Sequence, residues 1–371
     1  MEYNRKLPLI EVIFILFLSA LTPIYFKSTT LTTPPANQDV WFVNIVSIVY
    51  TIVVCFPLLF LSNRFSKLNL IEIIQKLCGK IIGNLLGFLY IVFMVFICAS
   101  GSVDTVQFLG SAIIPETPVY IILLFLLLTC SYLAYKGINA IGRSTLIYVP
   151  IILCVFLLFT LLNLKIMNFK TFLPVLKDTN LWELNLGAFI IAARYYDIII
   201  LCMLTPNIED KKNINKSFYY SLGIYTLVSI IMTVSTQAVL GIEQSKHAKY
   251  SYLIYARQID VFDFIQRIES FTIMCWFFAR FIKFSAYIYI ILISIKKIFN
   301  PKNPNKYIIL IALTIYLIAT KTSMANSIMY SKIVSYKIFP YISSVFLIVI
   351  PLFLLIVYFF RRKKLKGFRC R

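Results

Sequence analysis

Residues 82–108 read IGNLLGFLYIVFMVFICASGSVDTVQF, and the first 22 of these 27 positions carry no charged side chain. A helix rises 1.5 Å per residue, so the uncharged part alone spans about 33 Å. That exceeds the roughly 30 Å hydrocarbon core of a bilayer, where backbone groups must be satisfied within the segment itself. Working outward, comparable apolar runs recur at 9–26, 41–61, 118–135, 146–164, 186–204, 218–241, 268–295, 307–325 and 340–360. The pattern predicts an all-α polytopic membrane protein of ten transmembrane helices, forming one membrane domain over 1–371 with a basic tail at 361–371.

Composition agrees with that reading. Hydrophobic residues make up 60% of the 371 and charged residues 14%, against about 25% charged in soluble domains; mean hydropathy is +0.86. The net charge of +21 sits in short connections between apolar runs rather than on one folded face, which argues against nucleic-acid binding. Six of the eight Cys (Cys55, Cys98, Cys130, Cys154, Cys202, Cys275) fall inside apolar runs without Cys-x-x-Cys spacing, so neither a disulfide framework nor a metal site is expected. The single histidine, His247, reads as a solvated loop residue. There is no Gly-rich phosphate loop, zinc-protease motif or nucleophile elbow, so the chain is expected to be no enzyme and to need no cofactor. The first apolar run follows Arg5 and Lys6 but continues into Pro23 without a cleavage site, and is read as an uncleaved helix.

Orientation follows from the basic residues. Those in one set of alternating connections, including Arg64, Lys67, Lys211, Lys212, Lys296, Lys297 and the cluster from Arg361, outnumber those in the other set more than twofold. Cytoplasmic segments carry the excess, so both termini are expected in the cytoplasm, with the tail against anionic lipid.

Charges inside apolar helices are costly and therefore informative. Glu11, Asp104, Glu269 and Lys321 lie close enough to segment ends to snorkel, which is the expectation for Glu11 and Lys321. Arg194, Asp197, Arg280 and Lys283 lie deeper. Arg194 and Asp197 are three apart on one helix face; Glu269, Ile273, Trp276, Arg280 and Lys283 recur at spacings of four, three, four and three, which predicts a shared inward face. Its two cations need an anion, for which Asp197, Asp104 or a ligand carboxylate are the candidates.

Helix breakers point to a site. The first helix carries Ser19, Ala20, Leu21, Thr22 and Pro23; the sixth carries Gly187, then Ala192 and Ala193 beside the charged pair. Ten helices divide into two sets of five, of which the second runs inverted, so helices one and six become symmetry mates and a ligand is expected between them near the midplane. The candidate ligand-binding residues are Ser19, Ala20, Thr22, Asp104, Gly187, Ala192, Tyr195 and Asp197, with Arg194, Glu269, Arg280 and Lys283 as structural or coupling charges.

Gln266-Arg267-Ile268-Glu269-Ser270-Phe271, followed by Trp276-Phe277-Phe278 and Phe281-Ile282-Lys283, resembles the B subunits of bacterial spore germinant receptors, the endospore germination permease family. Phe172-Leu173-Pro174-Val175 and Gly187-Ala188-Phe189 extend the likeness. The resemblance implies a 5+5 inverted-repeat fold of the amino acid-polyamine-organocation transporter type, with helices one and six unwound around an amino-acid-like ligand. It also implies A-type and C-type receptor subunits as partners in a spore inner membrane, and a role in nutrient sensing. The stretch Ala-Ala-Arg-Tyr-Tyr-Asp at 192–197 and the pair Ala279-Arg280 depart from the Gly-rich turns common in that family. An ion- or proton-coupled amino acid or amine transporter needs the same site and stays open as the alternative.

Overall fold

The computed structural model describes residues 6–26, 37–248, 250–259, 268–324 and 338–362. Lys27, Lys249, Lys332 and Lys337 of the connections, Gln266 and Arg267 of the family-like motif, and the tail beyond Arg362 lie outside the described residues. The chain forms helices α1 (Leu9–Phe26), α2 (Val40–Arg64), α3 (Leu70–Cys78), α4 (Lys80–Ala112), α5 (Val119–Lys136), α6 (Ile138–Asn163), α7 (Leu181–Ala193), α8 (Ile198–Leu204), α9 (Ile214–Leu240), α10 (Ile242–His247), α11 (Ser251–Arg257), α12 (Glu269–Phe299), α13 (Lys306–Met324), α14 (Phe339–Ser344) and α15 (Ile350–Arg361). Among the described residues eight helical stretches are long and apolar enough to cross a membrane, one of them Leu181–Asn207, which contains both α7 and α8.

Helix ends follow local chemistry. Asn69 caps α3 by accepting from the Glu72 N–H at 2.9 Å while the Glu72 carboxylate accepts from the Asn69 N–H, also at 2.9 Å. Gly79 (φ 86°) and Gly137 (φ 89°) sit at the corners between α3 and α4 and between α5 and α6. Side chains other than glycine are strained there, and the tight corners let the flanking helices start within one residue of each other. Hence α6 begins at Ile138, ahead of the apolar run at 146–164.

The centre of the bundle holds α1, the α7–α8 segment and α12. Helix α1 packs along α9, α12 and α6, while α7 packs along α2, and α12 also meets α4, α5 and α13. The outer helices show lipid their apolar faces, Ile81 being 87% and Phe360 85% exposed. Exposed leucines and phenylalanines are the ordinary condition here because the solvent is hydrocarbon.

Two features tie α1 into place at one end. The N–H of Leu7 donates to the Asn207 carbonyl at 2.8 Å and the Leu7 carbonyl accepts from the Glu209 N–H at 3.0 Å, so the chain entering α1 is clamped to the chain leaving α8. Glu11 is fully buried rather than snorkelling: its carboxylate lies over Gly142 of α6, where a Cβ would stand 2.4 Å from Glu11 Oε2. Only a residue without a side chain leaves room for that carboxylate. Lys321, by contrast, is exposed as expected.

At the opposite end, Asp39 at the start of α2 is buried and accepts from the Leu176 N–H at 3.0 Å and from the Thr179 hydroxyl. Gln237 of α9 donates to the Asn37 carbonyl at 3.0 Å. Gln38 donates to the Pro174 carbonyl at 3.2 Å, so the chain from Pro174 to Thr179 is strapped to the start of α2, which Gln237 in turn ties to α9. Replacing a buried acceptor strands its donors, so Asp39→Ala should lower unfolding stability by about 1–3 kcal/mol. Thermal melting of the purified protein in detergent measures it; an unchanged midpoint would show that the strap contributes nothing.

Candidate functional site

The site begins with a missing proton. In a helix the N–H of residue i+4 satisfies each carbonyl, but the residue four after Ser19 is Pro23, which has none. The Ser19 carbonyl is therefore open. It accepts from the Thr22 hydroxyl at 3.0 Å and from the Lys283 ammonium of α12 at 2.9 Å. Because these two donors replace the absent one, α1 runs without interruption from Leu9 to Phe26, and the unwinding expected in the first helix does not occur.

The sixth segment does break. Helix α7 ends at Ala193 and α8 starts at Ile198, and the backbone between them runs through tight turns, with Tyr195 N–H donating to the Ala192 carbonyl at 3.0 Å and Ile198 N–H to the Tyr195 carbonyl at 3.3 Å. The two tyrosines explain the break. Tyr195 pairs through its hydroxyl with Ser221 at 2.7 Å and packs against Phe218 and Tyr225 of α9. Tyr196 packs against Phe93 of α4 and Phe339 of α14. Consecutive residues thus anchor in separate helix walls, and the turn is held by side chains where helical hydrogen bonds are lost.

Asp197, fully buried at the end of that turn, meets α12. Its Oδ2 accepts from Lys283 Nζ at 3.0 Å and its Oδ1 from the Tyr287 hydroxyl at 2.9 Å. Lys283 and Tyr287 are four apart, hence on one face. The ammonium also lies 3.5 Å from the Tyr196 hydroxyl and 4.7 Å from the centre of its ring. An ammonium has three protons to place. Here the Ser19 carbonyl, the Asp197 carboxylate and Tyr196 take them, so one side chain joins α1, the break and α12.

One turn before Lys283, Arg280 is buried with its guanidinium 5.3 Å from the Trp276 ring and 5.8 Å from the Phe284 ring. Gly101 of α4 makes the space, since a Cβ there would stand 2.8 Å from Arg280 Nη1 and 2.8 Å from the Phe284 ring. Asp104 lies one turn further along α4 and is partly exposed. Glu269 pairs instead with Arg257 of α11 at 3.6 Å, so the shared inward face expected on α12 stops short of it. Arg194 caps α7 and is partly buried, while Ala20, Gly187 and Ala192 are buried. The Ser19 hydroxyl is buried with no hydrogen-bond partner among the described residues. Among those residues no group of three or more His, Cys, Asp or Glu side chains is placed to hold a metal ion.

Sequence reading passed over Tyr196, Tyr287 and Gly101. Tyr287 was one helical turn beyond Lys283 and Tyr196 adjoined Asp197, but nothing in either spacing distinguishes a tyrosine that donates from one that merely packs.

Removing one member of a buried ion pair leaves an uncompensated charge, which costs about 3–5 kcal/mol. Lys283→Met should therefore destabilise the protein by that amount, and the double variant Lys283→Met with Asp197→Asn should recover most of it. Melting of both variants in detergent measures the difference; equal loss in single and double variants would exclude the pair as the cause.

Three comparisons place this geometry. The family model described as "Spore germination protein" matches residues 6–328. Spore germination protein KB of Bacillus subtilis is 22% identical over 304 residues, 79% of this chain and 79% of that protein. Spore germination protein A2 of the same organism is 22% identical over 312 residues, 82% and 84% of the two chains. Among solved structures, Mhp1, a nucleobase-cation-symport-1 family transporter in a closed conformation with bromovinylhydantoin bound, superposes with a TM-score of 0.52 at 13% identity, covering 92% of this chain and 75% of that one. The fold is that of a membrane transporter, and the chain belongs to the spore germination protein family of spore permeases.

Proposed function

We propose that this chain is the ligand-sensing membrane subunit of a spore germination receptor. It binds a small amino-acid-like nutrient at the break between α7 and α8 and passes a conformational change to A-type and C-type partner subunits. The observation that carries this reading is the Lys283 ammonium, fixed between the Ser19 carbonyl and Asp197. That side chain ties α1 and the α7–α8 turn to α12, which suits a device that passes a change of shape at the turn to the rest of the bundle.

The surrounding residues suit an amino-acid-like ligand. Arg280 beside Gly101 brings a guanidinium of the kind that pairs with carboxylates, the buried Ser19 hydroxyl is an acceptor an amine could use, and Asp104 lies one turn beyond Gly101. Ala20 and Ala192 place small, buried side chains on the proline-interrupted and the broken segment. The family supports a location in a spore membrane, and the excess of basic residues in alternate connections supports both termini in the cytoplasm.

Binding and uptake of labelled amino acids by the full chain in liposomes test this. The expected result is saturable binding that does not depend on sodium or a proton gradient, with no accumulation inside the vesicle. Accumulation driven by either gradient would make the protein a coupled carrier instead. Ala20→Phe or Ala192→Phe should abolish binding with the protein still inserted; unchanged binding in both would remove these helices from the site. Cysteine-accessibility labelling should find Asp178 and His247 on one side of the membrane and Lys211 and Lys302 on the other, and labelling of Lys211 and His247 from one side would overturn the topology.

A further inference from the structure

Away from the Lys283 cluster, a second concavity of about 290 Å³ lies between the end of α2 and the start of α9. Its lining changes character along its length. At one end are Phe56 and Phe60; at the other are Asn63, Arg64, Asn215 and Tyr219. Phe56 and Arg64 are eight residues apart on one helix, so this change from apolar to cationic takes place over about 12 Å along the helix axis. The apolar wall is deepened by α15, where Phe60 stacks on Phe359 at 6.3 Å and meets Tyr358 edge-on at 5.7 Å.

The polar end is built and unoccupied by protein charge. The Asn63 amide donates to the Asn215 amide oxygen and closes the floor between the two helices. Arg64 makes no ion pair or hydrogen bond among the described residues and is half-buried beside that floor. No acidic side chain lines the concavity. Asp210, in the turn before α9, is taken up by the Asn213 amide and by the Lys212 N–H at 3.1 Å, which holds its carboxyl below the usual carboxylate range. Exposed Lys67 and Lys216 follow Arg64 and Asn215 in the chain and add positive charge to the same two segments. Tyr219, 47% exposed, stands at the opening with an amphipathic ring of the kind that favours a membrane interface.

A phospholipid shows the same change of character along its length, from acyl chain to anionic phosphate, and a guanidinium binds phosphate through paired donors. We infer that this groove between α2 and α9 binds one anionic phospholipid, with its phosphate on Arg64 and Asn215 and its chain along Phe56 and Phe60. The bound lipid braces α2 against α9, and these are the helices on which α7 and α1 pack. Anionic lipid therefore steadies the walls of the ligand site from the outside. The inference does not depend on which nutrient the chain senses.

Native mass spectrometry of the full purified chain, given equal phosphatidylglycerol and phosphatidylcholine, tests it. The wild type should retain phosphatidylglycerol over phosphatidylcholine by about fivefold, the factor contributed by one basic residue near a membrane surface. Arg64→Gln should remove the preference and Arg64→Lys should keep part of it, while Lys302→Gln, also in a basic connection but outside the groove, should leave it unchanged. Equal retention of both lipids by the wild type, or the same preference in Arg64→Gln, overturns the site. Equal loss in Lys302→Gln would assign the preference to diffuse charge and overturn it too. Displacement of the lipid by millimolar inorganic phosphate would make the groove a free-anion site rather than a lipid site.

Discussion

An ammonium taken out of water and into a bilayer has to find acceptors for all its protons, and in this protein the whole centre is arranged around one that does. Lys283 draws on a carbonyl that a proline left open, a carboxylate at the end of a broken helix and a tyrosine held by two aromatic walls. None of these partners is available on α12 itself. The lysine can stay charged only if α1, the α7–α8 turn and α12 converge, so the desolvation penalty of one side chain specifies the relation of three helices.

The rest of the core serves that convergence. Leu7 clamps the start of α1 to the end of α8, and Glu11 lies down on Gly142, so α1 cannot slide along its own axis relative to α6 and the sixth segment. Gly101 performs the same service for α12, since its bare backbone accepts Arg280 and Phe284 at a distance no side chain permits. Two glycines on two helices thus admit two buried charges. The break in the sixth segment is stabilised differently, by Tyr195 and Tyr196 anchored in α9 and in α4 with α14.

That arrangement bears on how a transporter fold serves a sensor. The fold is shared with Mhp1, a membrane transporter, and in this chain the sixth segment breaks between α7 and α8. Here the cation is covalently part of α12 and its partners are α1 and the turn, so whatever displaces the turn must also displace α12 or break a buried ion pair. The turn is thereby joined to a long helix that meets α4, α5, α6 and α13.

The sequence by itself determined the solvent, because uninterrupted apolar runs of helix length have no stable place outside a membrane. It also marked which charges were too deep to be incidental: Arg194, Asp197, Arg280 and Lys283 stood out because a charge in an apolar helix needs a reason, and of these Arg194 alone is only partly buried. Pro23 was legible as an interruption. What it does there was not, since a missing N–H can be relieved by unwinding or by a donor from elsewhere, and only the approach of α12 chose the second. Likewise the spacing of Glu269 with Arg280 and Lys283 was real, but periodicity describes one helix and not its neighbours, and Arg257 on α11 drew the glutamate away. Tyr287 and Gly101 were invisible for the same reason. The role of each is fixed by what another helix brings within 3 Å of it, and contacts across such distances in sequence exist only once the bundle has closed.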